Sequence, residues 1–206
     1  MAKDKITTVI FDAGGVLISW PREEVLEDIR NELKMTNEQI EKFWRKYIFA
    51  IGKGDFSEST MWRMARAEYK FRKVYVREDL LGRKFMEIGR PYKEVLNKVV
   101  KLSKDGYKVA VLSNTNQSHT KVFRSKGILI PFKNIYLSYK FGYRKPDKKL
   151  YKLTLKKLKV KPENVIFIDD LAENIKSAKD LGMHTILANN QEQIVRDINK
   201  ALYRAL

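Results

Sequence analysis

One ordering constrains this chain more than any other: a single short apolar strand, then a long stretch of helical period, and only then strands alternating with helices. Residues 6–11 (Ile-Thr-Thr-Val-Ile-Phe) form an apolar run ending in Asp12-Ala-Gly-Gly, as a buried strand opening into a tight loop would. From about 22 to 88 the apolar period is helical. After Thr36-Asn-Glu-Gln39, which reads as a capping box, Ile40, Phe43, Trp44, Tyr47 and Ile48 recur at i, i+3, i+4, i+7 and i+8. Ser57 is placed to cap a helix carrying Met61, Ala65 and Tyr69, and Leu80, Leu81, Phe85 and Ile88 mark another. After Pro91 helices are expected over 92–104, 117–126, 146–159 and 172–181, with Pro146 in the first turn of its helix. Strands are expected over 107–112, 134–138, 165–168 and 184–188, and an amphipathic helix closes the chain. Continuous apolar strands such as Val165-Ile-Phe-Ile suit a parallel sheet covered on both faces. The expected class is therefore α/β: an open, Rossmann-like parallel sheet with helices on both faces, formed by 1–17 and 91–206, with an α-helical cap inserted at 18–90.

Composition narrows the function. The 206 residues carry a formal net charge of +17, and a polyanion is the first partner that number suggests. With 44% hydrophobic residues the chain builds a core and is not a disordered basic tail. No run reaches the roughly 18 apolar residues of a membrane span. The opening Met-Ala-Lys-Asp-Lys leads into a strand without a signal-peptide core, so a cytoplasmic protein is expected. Zero cysteines exclude a disulfide framework, a zinc-thiolate site and a thiol nucleophile. Abundant Lys with no Cys and little Gln is also a thermophile-like pattern.

Ligands of open parallel sheets bind outside the carboxyl ends of the strands. Those ends carry Asp12, Ser113-Asn114 and Asp169-Asp170, with Lys145 ahead of a helix. Taken singly, each acid or hydroxyl has a simpler reading as a helix cap or turn former, and Lys145 as a solvated lysine. Together they make a site for a divalent cation and a phosphate.

Four segments carry a resemblance: Val-Ile-Phe-Asp12-Ala-Gly-Gly-Val-Leu, Val-Ala-Val-Leu-Ser113-Asn114, Arg-Lys145-Pro-Asp, and Val-Ile-Phe-Ile-Asp169-Asp170-Leu-Ala-Glu-Asn174. In order and type they resemble the haloacid dehalogenase superfamily of aspartate-nucleophile hydrolases with a type 1 helical cap. Gly142-Tyr-Arg-Lys-Pro-Asp to Leu181-Gly-Met-His-Thr-Ile-Leu is most similar to the branch of sugar-phosphate phosphatases and epoxide-hydrolase phosphatase domains. The resemblance implies that Asp12 attacks phosphorus, forming an aspartyl-phosphate. It implies Mg²⁺ among Asp12, the Gly14 carbonyl and Asp170, with Asp169 and Asn174 ordering the shell around it. Ser113, Asn114, Lys145 and the backbone at Gly15 would receive the phosphoryl group, and a small phosphorylated metabolite would be the partner.

One position departs from the pattern. Most phosphatases of this family carry a second aspartate two residues after the nucleophile, as general acid and base; here Gly14 stands there. Phosphates with good leaving groups, such as sugar 1-phosphates, are the expected substrates. A 2-haloacid dehalogenase using the same nucleophile, which needs neither that acid nor a metal, is the alternative, and a catalytically silent scaffold a further one. A nucleic-acid binder is disfavoured. Ten basic residues against one acid lie between Lys140 and Lys161, but Leu150, Leu153, Leu155 and Leu158 make them the solvated face of a helix, and no base-stacking motif accompanies them. Of the cap aromatics Trp20, Trp44, Tyr47, Phe49 and Trp62, most are read as packing, while Trp20 and Arg22 enter the cap close to the nucleophile and are candidates to face substrate. His119 and His184 are too few and too separated for a metal site, and His184 is read as structural. Monomer and homodimer both remain open.

Overall fold

The computed structural model describes residues 5–70 and 80–204; residues 1–4, 205–206 and, within the expected cap, 71–79 lie outside the described residues. Five parallel strands, β1 (Thr8–Phe11), β2 (Lys108–Ser113), β3 (Asn134–Leu137), β4 (Val165–Asp169) and β5 (His184–Leu187), lie in the order β3-β2-β1-β4-β5. Ten α-helices accompany them among the described residues. α1 (Arg22–Leu33), α2 (Asn37–Phe43), α3 (Phe49–Lys53), α4 (Glu58–Tyr69) and α5 (Leu80–Ile88) lie between β1 and β2, as does α6 (Lys93–Lys104). α7 (Gln117–Ser125), α8 (Lys148–Leu158), α9 (Ala172–Lys179) and α10 (Gln191–Arg204) complete the crossovers and the C-terminal region.

Period-2 alternation along each strand divides the core. Val9, Phe11, Val111, Ile166 and Ile168 face one layer, where Val95, Val99 and Leu102 of α6, Val122 and Phe123 of α7, and Ile194 and Ile198 of α10 cover them. Ile10, Ala110, Leu112 and Phe167 face the other, under Leu150, Tyr151, Leu155 and Leu158 of α8 and Ala178 of α9. β1 is therefore buried along its whole length, and after Thr8 it reads as a continuous apolar run. α8 also buries Tyr151 and Thr154, Leu153 is half-buried, and lysines 148, 149, 152, 156 and 157 face solvent.

Local chemistry sets the helix ends. Thr36 Oγ1 accepts from the Gln39 N–H while Gln39 returns a bond to the Thr36 N–H, the capping box the sequence predicts. Ser57 accepts from the Thr60 N–H at 3.2 Å and caps α4. Two expectations need correction. Pro146 does not open α8: it follows Lys145 through a cis peptide, and Asp147 is the cap, accepting from the Lys149 N–H at 2.9 Å. His184 is not buried in its strand, because β5 is an edge and the ring is exposed.

The helical stretch builds a second core from Val25, Ile29, Ile40, Phe43, Tyr47, Met61, Trp62, Leu80 and Leu81, among others. Trp62 stacks on Phe43 with centroids 4.9 Å apart, and its indole N–H donates to the buried Glu58 at 3.0 Å. Glu58 also accepts from the Leu81 N–H at 2.7 Å, and burial raises its pKa. Ile18 and Phe85, inside the stretch expected to be the cap, pack with the sheet instead. The two connecting segments run side by side, with an antiparallel bridge from Ile18 to Pro91 and a bond from the Tyr92 N–H to the Leu17 carbonyl at 2.9 Å. No helix among the described residues is long and apolar enough to cross a membrane.

Trp62→Ala removes a fully packed ring and one of the hydrogen bonds to a buried carboxylate, so it should lower the unfolding free energy by about 3–5 kcal/mol in urea denaturation.

Candidate active site

The strand order reverses direction at β1, which has β2 on one side and β4 on the other, and the candidate residues converge where those three strands end. Asp12 follows β1, Ser113 closes β2, and Asp169 closes β4. Lys145 reaches in from the loop before α8 with no exposed side-chain surface. Its ammonium donates to Asp12 Oδ1 at 2.9 Å, Asp169 Oδ2 at 2.6 Å and the Leu112 carbonyl at 2.9 Å. An ammonium has three protons, and all three are used. A phosphoryl oxygen would have to take over the bond now given to Asp12.

Supporting groups fix this arrangement. Asn114 brackets the Lys145 backbone, donating from Nδ2 to its carbonyl and accepting its N–H at Oδ1, both at 2.8 Å. Asp169 Oδ1 accepts from the Leu171 N–H and from Asn174 Nδ2, both at 2.9 Å. Asp12 Oδ1 also accepts from the Ala13 N–H at 2.7 Å. Burial pushes the Asp12 carboxyl up to about 7; Lys145 pulls against this, while Asp169 and Asp170 add to it. Burial also raises Asp170, with Asp169 reinforcing the rise. For Lys145 burial works the other way, yet Asp12 and Asp169 outweigh it and hold its pKa above the ordinary lysine value.

Asp12, Asp169 and Asp170 offer carboxylate oxygens that all lie within 4.8 Å of one another. Three carboxylates sharing one lysine is an excess of negative charge that a hard, oxygen-seeking cation would satisfy. Asp169 is fully buried and its oxygens are taken by Lys145, Leu171 and Asn174, so Asp12 and Asp170 are the groups left for an ion. Asn174 Oδ1 is buried without a partner, as a group supporting a hydrated ion would be in its absence. Gly15, at φ +74°, lies so close that a Cβ there would collide with the Asp170 carboxylate.

Above these residues is a cavity of about 300 Å³. Asp12, Gly14, Ser113, Asn114, Asp170 and Asn174 line it, and so do Trp20 and Arg22. Gly15, Lys145 and Asp169 do not line it; they support it from behind. Arg22 is committed at the rim, with Nη2 3.1 Å from both carboxylate oxygens of Glu41. Trp20 lies against Phe85, Trp44 and His119 at centroid distances of 4.7, 6.1 and 5.1 Å. Of the other aromatics, Trp62 and Tyr47 pack in the helical core and Phe49 is exposed, whereas Trp44 lines the cavity.

Among the further lining residues are His119 and Arg144, which the sequence did not point to as parts of the site, and Trp44, which it grouped with the cap aromatics read mostly as packing. Between α2 and α3 the helix widens into a π turn, Trp44–Ile48, which brings Trp44 and Ile48 to the cavity wall while Tyr47 stays inside. Arg144 Nη1 donates to the Ile48 carbonyl at 3.2 Å, and its guanidinium lies 4.7 Å from the Phe49 ring centroid. His119 sits in the first turn of α7, whose start is capped by Asn116 Oδ1 accepting the His119 N–H at 2.9 Å. The available signal was its place one turn beyond a strand-end motif.

Gly15→Ala should displace Asp170 and weaken divalent-cation binding at least tenfold in calorimetric titration while leaving the helical core intact. Because Asp12 binds a proton below about 7 that a cation must displace, cation affinity should fall as pH drops from 8 to 6. The folded state also holds this proton more tightly than the unfolded one, so ion-free stability declines as pH rises from about 4 towards 7. Added Mg²⁺ should therefore raise the melting temperature more at pH 8 than at pH 5.5.

Comparison with known proteins agrees with this geometry. The family description of haloacid dehalogenase-like hydrolase matches residues 6–182. The pig bifunctional epoxide hydrolase 2 (Sus scrofa) is 32% identical over 111 residues, 52% of this chain, which thus matches only 20% of that longer protein. The D-ribitol-5-phosphate phosphatase of Bacteroides thetaiotaomicron is 29% identical over 204 residues, covering 90% of this chain and 93% of the relative. A family enzyme from the same organism, solved with magnesium and inorganic phosphate, superposes with a TM-score of 0.76 at 26% identity, over 90% of this chain and 95% of that one. The chain belongs to the haloacid dehalogenase-like hydrolases.

Proposed function

We propose that this hydrolase is a Mg²⁺-dependent phosphatase that cleaves a small phosphorylated metabolite through an aspartyl-phosphate on Asp12. The observation that carries the proposal is the carboxylate cluster around a fully buried lysine, beneath the cavity at the strand ends. Relatives named as phosphatases, and a structural neighbour solved with magnesium and phosphate, support the reading.

In the first step an Asp12 oxygen bonds to phosphorus as the ester P–O bond breaks, and the electron pair leaves with the alcohol oxygen. In the second, water attacks the same phosphorus and Asp12 departs as a carboxylate. Lys145 keeps Asp12 oriented and opposes the repulsion between carboxylate and phosphate. Ser113 is assigned to a phosphoryl oxygen, while Asn114, Asp169 and Asn174 act through Lys145 and the acid cluster. Mg²⁺ held by Asp12, the Gly14 carbonyl and Asp170 would neutralise phosphoryl charge. In this reading residues 18–90 are the cap, and Trp20, Arg22 and Trp44 form the wall against the leaving group.

Gly14 leaves the departing oxygen without a carboxylic acid, which favours substrates whose alcohol leaves readily. The position is empty rather than blocked: a Cβ there would meet nothing nearer than Trp20 Cβ at 3.6 Å.

Mg²⁺-dependent phosphate release from p-nitrophenyl phosphate, abolished by Asp12→Asn, is the expected result. Release without metal, or chloride from a 2-haloacid, would point to the dehalogenase chemistry; no release from any phosphate would point to a silent scaffold. The intact enzyme should show higher kcat/KM on glucose 1-phosphate than on glucose 6-phosphate. Gly14→Asp should narrow that gap by raising the rate on the 6-phosphate roughly 10–100-fold, the lower range of general acid–base assistance.

A further inference from the structure

Among the described residues five buried side-chain atoms have no hydrogen-bond partner, and three of them belong to residues lining the cavity at the strand ends: Asn174 Oδ1, Arg144 Nε and His119 Nε2. Asn174 belongs to the acid cluster. Arg144 already donates to the helical stretch through Nη1. His119 is different, because no role described so far uses its ring.

That ring is held firmly. His119 is 7% exposed, its backbone N–H donates to Asn116, and its imidazole packs against both Trp20 and Phe85, at centroid distances of 5.1 and 4.9 Å. A nitrogen buried among aromatic rings without a partner is unfavourable, so the site is incomplete until something supplies one. Its position limits what that can be. Ser113 lies on the cavity floor beside Asp12, whereas His119 comes one turn into the helix that follows, beside the Trp20 that enters from the helical stretch. A phosphate held at Asp12 and Ser113 would therefore share its cavity with His119.

We propose that His119 determines specificity by hydrogen-bonding, through Nε2, a hydroxyl of the substrate's leaving group, which makes a sugar or polyol phosphate the class of substrate. This deepens the phosphatase reading and rests on it. Burial pushes the imidazole pKa down to about 3, so the ring is neutral at physiological pH. A neutral imidazole nitrogen either donates or accepts, and a hydroxyl matches both. Trp20, which touches the imidazole, and Trp44, which touches Trp20, line the same cavity and supply aromatic surface for the C–H groups of a polyhydroxylated compound. A site built to bond a hydroxyl also discriminates well, because an analogue lacking it leaves the nitrogen unpaired. In this role His119 binds the leaving group and does not substitute for the acid absent at Gly14.

The test compares kcat/KM on α-D-glucose 1-phosphate, D-glucose 6-phosphate and glycerol 3-phosphate with that on p-nitrophenyl phosphate, which has no hydroxyl on its leaving group. His119→Leu should lower the ratio of the best hydroxylated substrate to p-nitrophenyl phosphate at least tenfold, with the loss carried by KM, and His119→Gln should recover most of it. An unchanged ratio in folded His119→Leu overturns the proposal, as does a loss carried by kcat with a displaced basic limb of its pH profile, the mark of a general acid. A second measurement does not depend on a variant at this buried site. The chain has two histidines, so His184→Gln assigns the imidazole resonances of His119. In an Asp12→Asn background, glucose 1-phosphate should shift the His119 Nε2 signal and inorganic phosphate should not. Bound glucose 1-phosphate with no such shift overturns the proposal. Failure of the wild type to release phosphate from every probe overturns the phosphatase reading itself, whereas release with an unaffected His119 response overturns this role alone.

Discussion

The buried ammonium of Lys145 is the interaction on which the rest of the site depends. Taking a charged lysine wholly out of water is costly unless every proton finds an acceptor and opposite charge lies close. Here the acceptors come from three adjacent strand ends: the Leu112 carbonyl near the end of β2, Asp12 after β1 and Asp169 at the end of β4. One cation thus closes the point at which the sheet order reverses. The same contacts explain why the neighbours are what they are. Asn114 holds the lysine's backbone, Asn174 and the Leu171 N–H orient the carboxylate behind it, and Gly15 leaves room for Asp170. Losing the lysine would leave two desolvated carboxylates facing each other without compensation.

The residue just before it faces the other way in function. Arg144 donates to the carbonyl of Ile48 at the end of the π turn, and nearby Ser138 donates to the Gly52 carbonyl at 2.5 Å. Gly52 has no room for a Cβ because the Arg144 guanidinium occupies it. Arg144-Lys145 therefore joins the helical stretch to the sheet with one side chain and secures the cavity floor with the next. Trp20, Trp44, Phe85 and His119 then share one wall although they come from four different segments of the chain.

Much of this was legible in the residues. The capping box at Thr36, the Ser57 cap, the apolar strands and the glycine at 15 are local signals, each set by a few neighbouring residues and the hydrogen bonds their backbone leaves open. The strand-end acids and Lys145 could be grouped because parallel topology brings strand ends together. What misled was local propensity against tertiary context. Pro146 suited a first helical turn, but the chain needed that stretch to carry Lys145 to the sheet, and Asp147 took the cap. His184 has the surroundings of a buried strand residue in sequence, yet strand order made β5 an edge.

By itself, then, the sequence determined the α/β architecture, the helical insertion after the first strand and the identity of the residues at the strand ends, because period and capping are short-range properties. Only the tertiary structure decided how those residues are used. It spent all three protons of Lys145, turned the Asn114 side chain inward, paired Arg22 with Glu41, and left a ring nitrogen of His119 buried without a partner at the cavity wall. Hydrogen-bond partners of a side chain are set by which distant segments fold against it, and no spacing along the chain records that.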